Sequence, residues 1–390
     1  MNASAPQAVI PLWRDVRILR IAAQLIFVAV VALLGWWLAD NMSRGLARMG
    51  SHLTFDFLQS AASFALAESP IAYDTDKPYW YAFLVGALNT LRVAAVGIVL
   101  ASVLGLVMGI ARLSGNWLVA RLAQLYVEAF RNTPLLIQLL FWYLAVILKL
   151  PAVRQSVELP GPVFLSNRGL TVPWFDAKDS FTPWLLAVLA ALVVSALVYQ
   201  WAGRRAPAAR HLSHRGLWAA LLFLALAIGS ALALDPFKPS IPKLQGFNYS
   251  GGLSLSPEYV ALLFGLVMYT GAFIAEIVRA GILAVPRGLN EASRALGLTY
   301  VQTLRLVTVP LALRVIIPPL TNQYLNLTKN SSLAVAIGYA DLFYVSNTIF
   351  NQTGQTVQVI VMVMSAYLLM SLTISASMNL VNARFRLKER

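Results

Sequence analysis

The side chains in this 390-residue chain that could perform chemistry are few, and their types exclude several classes of protein. There is no cysteine, and the three histidines, His52, His211 and His214, lack the spacing of zinc ligands. None of the seven lysines follows a glycine, so the sequence lacks the Gly-Lys step of the phosphate-binding loop of nucleotide hydrolases. We therefore expect no thiol chemistry, no zinc site and no ATP hydrolysis by this chain, and no cofactor of its own.

Ionisable side chains in or beside apolar stretches are the next candidates, because charges in a membrane are costly and often functional. Glu276 and Arg279 lie three residues apart near the end of one apolar run, which is the spacing of a helical ion pair. Glu128 and Arg131 share that spacing, and Pro134 follows at a position suited to the first turn of a helix. We expect these residues either to form structural pairs or to fix the geometry through which a surface loop moves a pore.

A polar run between two apolar stretches, residues 321–332, has a different character. Such a run is costly in lipid unless it faces protein or water. It is either a loop outside the membrane or a segment that re-enters the membrane and lines a route for a zwitterion. The candidates for that route are Asn322, Gln323, Asn326, Lys329, Asn330 and Ser332.

Another polar segment between apolar runs carries helix-capping residues. Asn290 is a candidate N-cap, and Glu291 would then lie in the first turn, where the helix dipole favours an acid. Gly297 suits a left-handed C-cap, and Thr299 with Gln302 has the spacing of a capping box that starts a second helix. The pattern predicts a helix, a bend and a helix.

The first of these helices offers a surface for another protein. Small Ala292 and Ala295 beside Leu296 permit close approach, while charged residues lie at the rim. The predicted docking residues are Glu291, Ala292, Arg294, Ala295, Leu296 and Gly297. On capping alone, a surface loop without a partner is the alternative.

The elements that position these residues are membrane helices. Hydrophobic residues make up 59% of the chain and charged residues only 12%, and the mean hydropathy is +0.70, whereas soluble domains carry about 25% charged residues. Apolar windows of about 20 residues predict an all-α, polytopic membrane protein with about eight transmembrane helices. These are Val16–Leu38, Phe83–Ile110, Pro134–Leu148, Pro183–Trp201, Leu217–Leu234, Tyr259–Leu283, Leu306–Leu320 and Val357–Leu380.

The formal net charge of +14 indicates membrane topology and not a nucleic-acid partner, because the basic residues are dispersed among short segments between apolar runs. Placing both termini in the cytoplasm puts more Lys and Arg inside than outside. The inner face is then strongly basic and suits an anionic leaflet. We expect a multi-pass protein of the bacterial inner membrane, with both termini cytoplasmic and in contact with lipid.

The docking segment also resembles a known family. Glu291-Ala-Ser-Arg-Ala-Leu-Gly297, with Val309-Pro310 downstream, resembles the EAA loop of the permeases of binding-protein-dependent ABC importers. In that family the loop is a coupling helix that docks in a cleft of the ATPase. The sequence departs from the motif mildly, at Ser293, where Ala is usual, and at Val309, where Leu is common.

Two further stretches resemble the permeases for polar amino acids. One runs from Tyr126 to Gln138, and the other comprises Ala275 to Ile282, Pro318 to Gln323 and Lys329 to Ala334. The extra length is similar to the longer permease of general L-amino-acid importers. The resemblance implies five parts: an anchor helix and periplasmic loop (1–82), the first part of a five-helix-type permease core (83–149), an inserted helix pair with loops (150–256), the second part of the core with its coupling loop at 285–305 (257–382), and a cytoplasmic tail (383–390).

The resemblance further implies a non-catalytic subunit that moves polar or broad-range L-amino acids. Its implied partners are a second, homologous permease, a cytoplasmic ABC ATPase dimer that holds the ATP and Mg, and a periplasmic amino-acid-binding protein. The alternative from another class is a secondary amino-acid transporter driven by an ion gradient, which predicts buried carboxylates. Glu276 is the only acidic residue that falls within a predicted span, and it lies near the end of that span, which disfavours a proton relay. A membrane scaffold is a third alternative.

Overall fold

A computed structural model describes residues 16–48, 54–205 and 212–385, and helices dominate it. The α-helices are α1 (Val16–Arg48), α2 (Tyr79–Ala111), α3 (Trp117–Asn132), α4 (Leu135–Leu140), α5 (Phe181–Arg205), α6 (Leu212–Leu234), α7 (Pro257–Leu283), α8 (Arg287–Ala295), α9 (Tyr300–Thr303), α10 (Val309–Asn330), α11 (Leu342–Thr353) and α12 (Thr356–Phe385). Shorter 3₁₀ or π turns lie at Asp56–Gln59, Phe141–Val146, Ile147–Lys149, Val153–Gln155, Leu304–Thr308 and Ser331–Ile337.

Eight short strands lie in the two segments that flank the helix pair α5 and α6, where the sequence predicts only loops rich in Pro and Gly. They are β1 (Val157–Leu159), β2 (Val163–Ser166), β3 (Gly169–Val172), β4 (Trp174–Ala177), β5 (Phe237–Ser240), β6 (Lys243–Gln245), β7 (Asn248–Ser250) and β8 (Leu253–Leu255). Antiparallel pairing forms one sheet in the order β1-β2-β3-β8 and two separate two-stranded pairs: β4-β5, whose strands flank the helix pair, and the hairpin β6-β7. The two segments are therefore tied to each other across the helix pair.

Seven helices of the described part are long and apolar enough to cross a membrane, or eight if a bent pair is one span. The bent pair joins α3 to the segment 135–149 at 105°, so the predicted span Pro134–Leu148 is the second arm of a broken element. The all-α, polytopic class is confirmed. The small sheets were not predicted, because strands of three or four residues between turns give no clear pattern in the sequence.

The predicted span Leu306–Leu320 is too short. The helical segment runs from Tyr300 to Ile337, and α10 continues through Pro318 and Pro319 to Asn330. The polar run 321–332 is therefore helical, and its interpretation as a plain loop is wrong. The apolar window underestimates the span because the polar side chains of its second half face protein and cavities, which hydropathy does not register.

The core is organised around the parallel packing of α2 on α7. A Cβ atom built on Gly105 would lie 2.5 Å from Ile274, and one on Gly109 would lie 2.7 Å from the carbonyl oxygen of Ala275. No side chain fits at such distances, so these glycines let the two backbones approach closely, as small residues do between membrane helices. Both helices finish at one end of the bundle, the loop end, which carries α8.

The peripheral helices differ from this core in burial. In the most apolar window of α7, 50% of the residues are buried within the chain, whereas the corresponding value is 0% for α1 and for α6. Helices α5 and α6 pack mainly against each other. Large apolar side chains that remain exposed on such helices have lipid as their natural environment. The division at 150–256 stays a prediction, and the tail residues 386–390 lie outside the described residues.

We predict that Gly105→Val destabilises the protein by about 1–3 kcal/mol, because the added side chain forces α2 and α7 apart. The measurement is the midpoint of thermal unfolding in detergent. Gly229→Val in α6 is the matched control, since a Cβ there meets no atom within 4 Å. Equal midpoints for the two variants would contradict the close packing of α2 on α7.

Candidate coupling loop and transport pathway

The segment 285–305 forms a helix, a sharp bend and a second helix, as predicted. Helix α8 ends in a Schellman motif: the Leu298 N–H donates to the Ser293 carbonyl oxygen at 3.1 Å, and the Gly297 N–H donates to that of Arg294 at 2.9 Å. Gly297 has φ +79°, the left-handed conformation that favours glycine. The capping box of Thr299 and Gln302 starts α9. The bend is therefore fixed by backbone geometry.

The predicted N-cap at Asn290 is wrong. Helix α8 begins after Pro286, so Asn290 lies inside the helix and Glu291 follows its first turn. The Asn290 carboxamide oxygen instead accepts a hydrogen bond from the Thr308 hydroxyl at 3.0 Å. Pro286 is the N-cap, so the helix starts four residues earlier than the polar pattern indicates.

Ser293, the departure from the EAA pattern, also has a structural use. Its side chain is buried, and its hydroxyl lies 2.8 Å from the Asn290 carbonyl oxygen and 3.0 Å from the Thr303 hydroxyl. Together with the bond between Asn290 and Thr308, this contact ties α8 to the turn that leads into α10. The two helices of the loop and the start of α10 thus form one hydrogen-bonded unit.

The opposite face of this loop is open. All six predicted docking residues, Glu291, Ala292, Arg294, Ala295, Leu296 and Gly297, are exposed. Leu296 is 80% exposed, and Tyr300 and Val301 beside it are 74% and 68% exposed. An apolar patch of this kind at the tip of a polar helix is typical of a protein–protein contact.

Glu276 is the centre of a charged cluster near the loop end of α7. Arg279 donates to it at 2.5 Å, as the spacing predicts, and Arg112, which follows α2, also donates to it. Arg131 of α3 approaches to 3.9 Å. One carboxylate therefore joins α2, α3 and α7, and Glu276 and Arg279 do more than pair with each other.

Glu128 and Arg131 do not form the local pair that their spacing suggests. Glu128 accepts a hydrogen bond from Gln124 at 2.6 Å, while Arg131 turns towards Glu276 and lies over the ring of Phe273 at 5.2 Å. Pro134 is the N-cap of α4 and not its first residue. The sequence could not show this arrangement, because the partner of Arg131 is distant along the chain.

The predicted pathway residues separate into two groups. Gln323, Asn326 and Asn330 recur at helical spacing on α10 and line a cavity of about 330 Å³. The other wall of the cavity is the α7 face formed by Tyr269, Thr270 and Phe273. The sequence analysis did not predict that these α7 residues line a cavity. The only signal is that Phe273 follows Tyr269 by four residues and Thr270 by three, which places all three near one face of a largely apolar helix.

The second group faces a different cavity. Lys329 and Ser332 line a space of about 500 Å³ whose far wall is α12, including Tyr367. Asn322 is exposed and lines neither cavity. The predicted set therefore spans two faces of α10, and its role as a route for a zwitterion stays a prediction.

Asp341 is a further residue that the sequence analysis missed. Its carboxylate caps α11 by accepting from the Tyr344 N–H at 2.8 Å, and it lies 3.4 Å from the Tyr367 hydroxyl at the edge of the second cavity. An acid just before a helix is a capping signal that the sequence does offer.

Arg92, which lies inside the predicted span Phe83–Ile110, fastens the segment before α2 to the bundle. It donates to Glu68 at 2.6 Å and lies over the Tyr259 ring at 4.5 Å. The other Glu68 oxygen accepts from Ser256, the N-cap of α7, at 2.6 Å. These contacts join the ends of α2 and α7 that are remote from the loop. The sequence pattern of either helix alone does not predict them.

We predict that Glu276→Gln destabilises the chain by about 1–3 kcal/mol, because it leaves two partly buried guanidinium groups without a carboxylate. The shift of the thermal midpoint in detergent measures this. Glu158→Gln in exposed β1 is the control, with an unchanged midpoint. A Glu276→Gln protein as stable as this control would show that the cluster does not hold α2, α3 and α7 together.

Comparison with known proteins agrees with this architecture. The family described as binding-protein-dependent transport system inner membrane component matches residues 217–387. The putative amino-acid ABC transporter permease protein YhdX of Escherichia coli (strain K12) is 47% identical over 370 residues, which are 93% of this chain and 93% of that protein. The general L-amino acid transport system permease protein AapQ of Rhizobium johnstonii is 45% identical over 372 residues, covering 93% and 91%.

A solved structure, titled as the crystal structure of an amino acid ABC transporter with histidines, is 22% identical with a TM-score of 0.47 and covers 78% of this chain and 95% of that chain. The two relatives are similar to this chain over nearly its whole length, including the helix pair α5 and α6. The chain therefore belongs to the family of inner-membrane components of binding-protein-dependent transport systems.

Proposed function

We propose that this chain is the permease subunit of an ABC importer that moves polar or broad-range L-amino acids across the bacterial inner membrane. The names of the two relatives, YhdX as a putative amino-acid permease and AapQ as a general L-amino acid permease, support amino acids as the cargo. The observation that carries the proposal is the rigid, exposed loop 285–305, which is bonded to the same helix that lines a polar cavity. In this proposal the chain makes and breaks no bond.

In this proposal α8 docks on a separate ATPase. The exposed apolar patch of Leu296, Tyr300 and Val301 supplies the contact, with Glu291 and Arg294 at its rim. The bonds from Ser293 and Asn290 make the loop move as one body with the start of α10. A displacement of the docked loop is therefore passed to α10.

Helix α10 then acts on the solute. Gln323, Asn326 and Asn330 offer neutral amide donors and acceptors, which suit both the ammonium and the carboxylate of an amino acid. A volume of about 330 Å³ lies within the range of small-molecule sites. Among the residues that the structure describes, the lining contains no Asp, Glu, Lys or Arg, so it favours no sign of side-chain charge, as a broad-range carrier requires.

The remaining partners follow from the same proposal. A second, homologous permease completes the pore, an ABC ATPase dimer binds ATP and Mg at the loop end, and a periplasmic binding protein delivers the amino acid at the other end. Both termini then lie in the cytoplasm, which agrees with the distribution of Lys and Arg. The Glu276 cluster keeps a structural role near the loop end in this proposal.

We predict that Leu296→Asp lowers ATP-dependent uptake about tenfold or more, because a charge replaces the centre of the apolar docking patch. The measurement is uptake by vesicles that hold the assembled transporter, with co-purification of the ATPase as a second readout. The thermal midpoint stays unchanged, since Leu296 is 80% exposed.

Leu244→Asp in β6, which is 48% exposed on a hairpin remote from the loop, is the matched control and keeps normal uptake. Normal uptake and normal ATPase binding in Leu296→Asp would overturn the docking role of α8.

We predict that Asn326→Leu lowers kcat/KM for uptake about tenfold, because the solute loses a hydrogen bond to one of its charged groups. Asn322→Leu is the matched control on the same helix, because Asn322 lies outside the cavity lining. If both variants lose uptake equally, or neither does, the cavity between α7 and α10 is not the route.

A further inference from the structure

A third cavity, which is also polar, lies at the loop end, apart from the proposed route. It has a volume of about 230 Å³ and lies where the end of α2, the first turns of α3 and the last turns of α7 meet. Its lining residues are Arg112, Trp117, Ala120, Arg121, Gln124 and Arg279. Three of the six are arginines, which is an unusual concentration of one charge in a single space.

The positive charge of this cavity is only partly neutralised. Arg112 and Arg279 share the one carboxylate of Glu276, and Arg131 approaches the same carboxylate from α3. Arg121 donates to the neutral Gln124 at 3.3 Å. Glu128, another acid in the described part of the chain, accepts a hydrogen bond from the cavity residue Gln124. Four guanidinium groups therefore face two carboxylates.

Guanidinium groups in this arrangement suit a phosphate. Arginine presents a planar fork of donors that matches phosphate oxygens, and each such pair is charge-assisted. Arg112 is largely buried, with 15% of its side chain exposed, so part of the site is held in place by the ion pair with Glu276. The Arg121 side chain, which has a weaker contact, is free to turn towards a ligand.

The surroundings of the cavity indicate a lipid. Helix α3 buries Ala123, Tyr126 and Val127 against the bundle, yet it also exposes large apolar side chains along its length. These are Trp117 at 75%, Leu118 at 56%, Leu122 at 58% and Leu125 at 64% exposure. A helix that meets the next arm at 105° and exposes such side chains beside arginines is typical of a helix at the membrane interface.

We propose that this cavity binds the phosphate of an anionic phospholipid, whose acyl chains lie along the exposed apolar face of α3. Trp117 joins the two parts, because it lines the cavity and is largely exposed, and tryptophan favours the headgroup level of a bilayer. The proposal stands independently of the transport function and places a lipid at the junction of α2, α3 and α7.

The test uses Trp117 as the reporter in the full chain with its partner subunits, reconstituted into bilayers. Bilayers contain phosphatidylcholine with a fixed fraction of brominated phosphatidylglycerol or, in the parallel sample, brominated phosphatidylcholine. The signal of Trp117 is the difference between the natural chain and Trp117→Phe. We expect the brominated phosphatidylglycerol to quench Trp117 preferentially.

Arg121→Gln should lower that preference about fivefold, the effect of removing one basic residue near an anionic surface, while Arg121→Lys should retain most of it. Arg305→Gln is the control, an exposed arginine of the loop end that does not line the cavity. Equal quenching by the two lipids, or a loss of preference in Arg305→Gln as large as in Arg121→Gln, would overturn the site. Equal quenching by the two lipids, together with a change in Trp117 fluorescence on addition of millimolar inorganic phosphate, would assign the cavity to free phosphate and overturn the lipid.

Discussion

The contact between α2 and α7 is the constraint on which the rest of the structure depends. Gly105 and Gly109 allow the two helices to run in parallel with their backbones nearly touching. This register carries Arg112, just beyond α2, to Glu276 on α7. At the other end it sets Arg92 over Tyr259 and beside Glu68. Both polar clusters follow from one apolar contact, since neither could form if the helices were shifted by a turn.

The contact between α2 and α7 also determines which face of α7 is available for the proposed transport route. Because one face of α7 is committed to α2, another face meets α10, and Tyr269, Thr270 and Phe273 are left to form one wall of the cavity with the amides of α10. Helix α10 is bonded in turn to the loop that carries α8. The proposed coupling therefore needs no long relay: a docked loop, one helix and one cavity share a continuous set of contacts.

The sequence alone is sufficient for several of these features. Hydropathy predicts the membrane class, the capping box at Thr299 and the bend at Gly297 follow from local chemistry, and the pair Glu276–Arg279 follows from helical spacing. What could not be predicted depends on contacts between distant segments. Asn290 is bonded to Thr308 and is not an N-cap, Arg131 reaches Glu276 and not Glu128, and Glu68 is joined to Arg92 and Ser256.

The polar run 321–332 is instructive for a different reason. Its side chains are costly only in lipid, and five of them, Gln323, Asn326, Lys329, Asn330 and Ser332, line cavities whose other walls include α7 or α12. A hydropathy window records polarity but not the neighbour that satisfies it, so it ends the span too early. Such polar continuations of a span are where a transport route is to be sought.

The most direct test of the account is uptake of labelled amino acids into vesicles that hold this chain with its co-expressed partners and the binding protein. ATP at the ATPase face is compared with an imposed proton or sodium gradient without ATP. For a permease of an ABC importer, we expect uptake that requires both ATP and the binding protein and that no gradient replaces. Uptake driven by a gradient in the absence of ATP would contradict it.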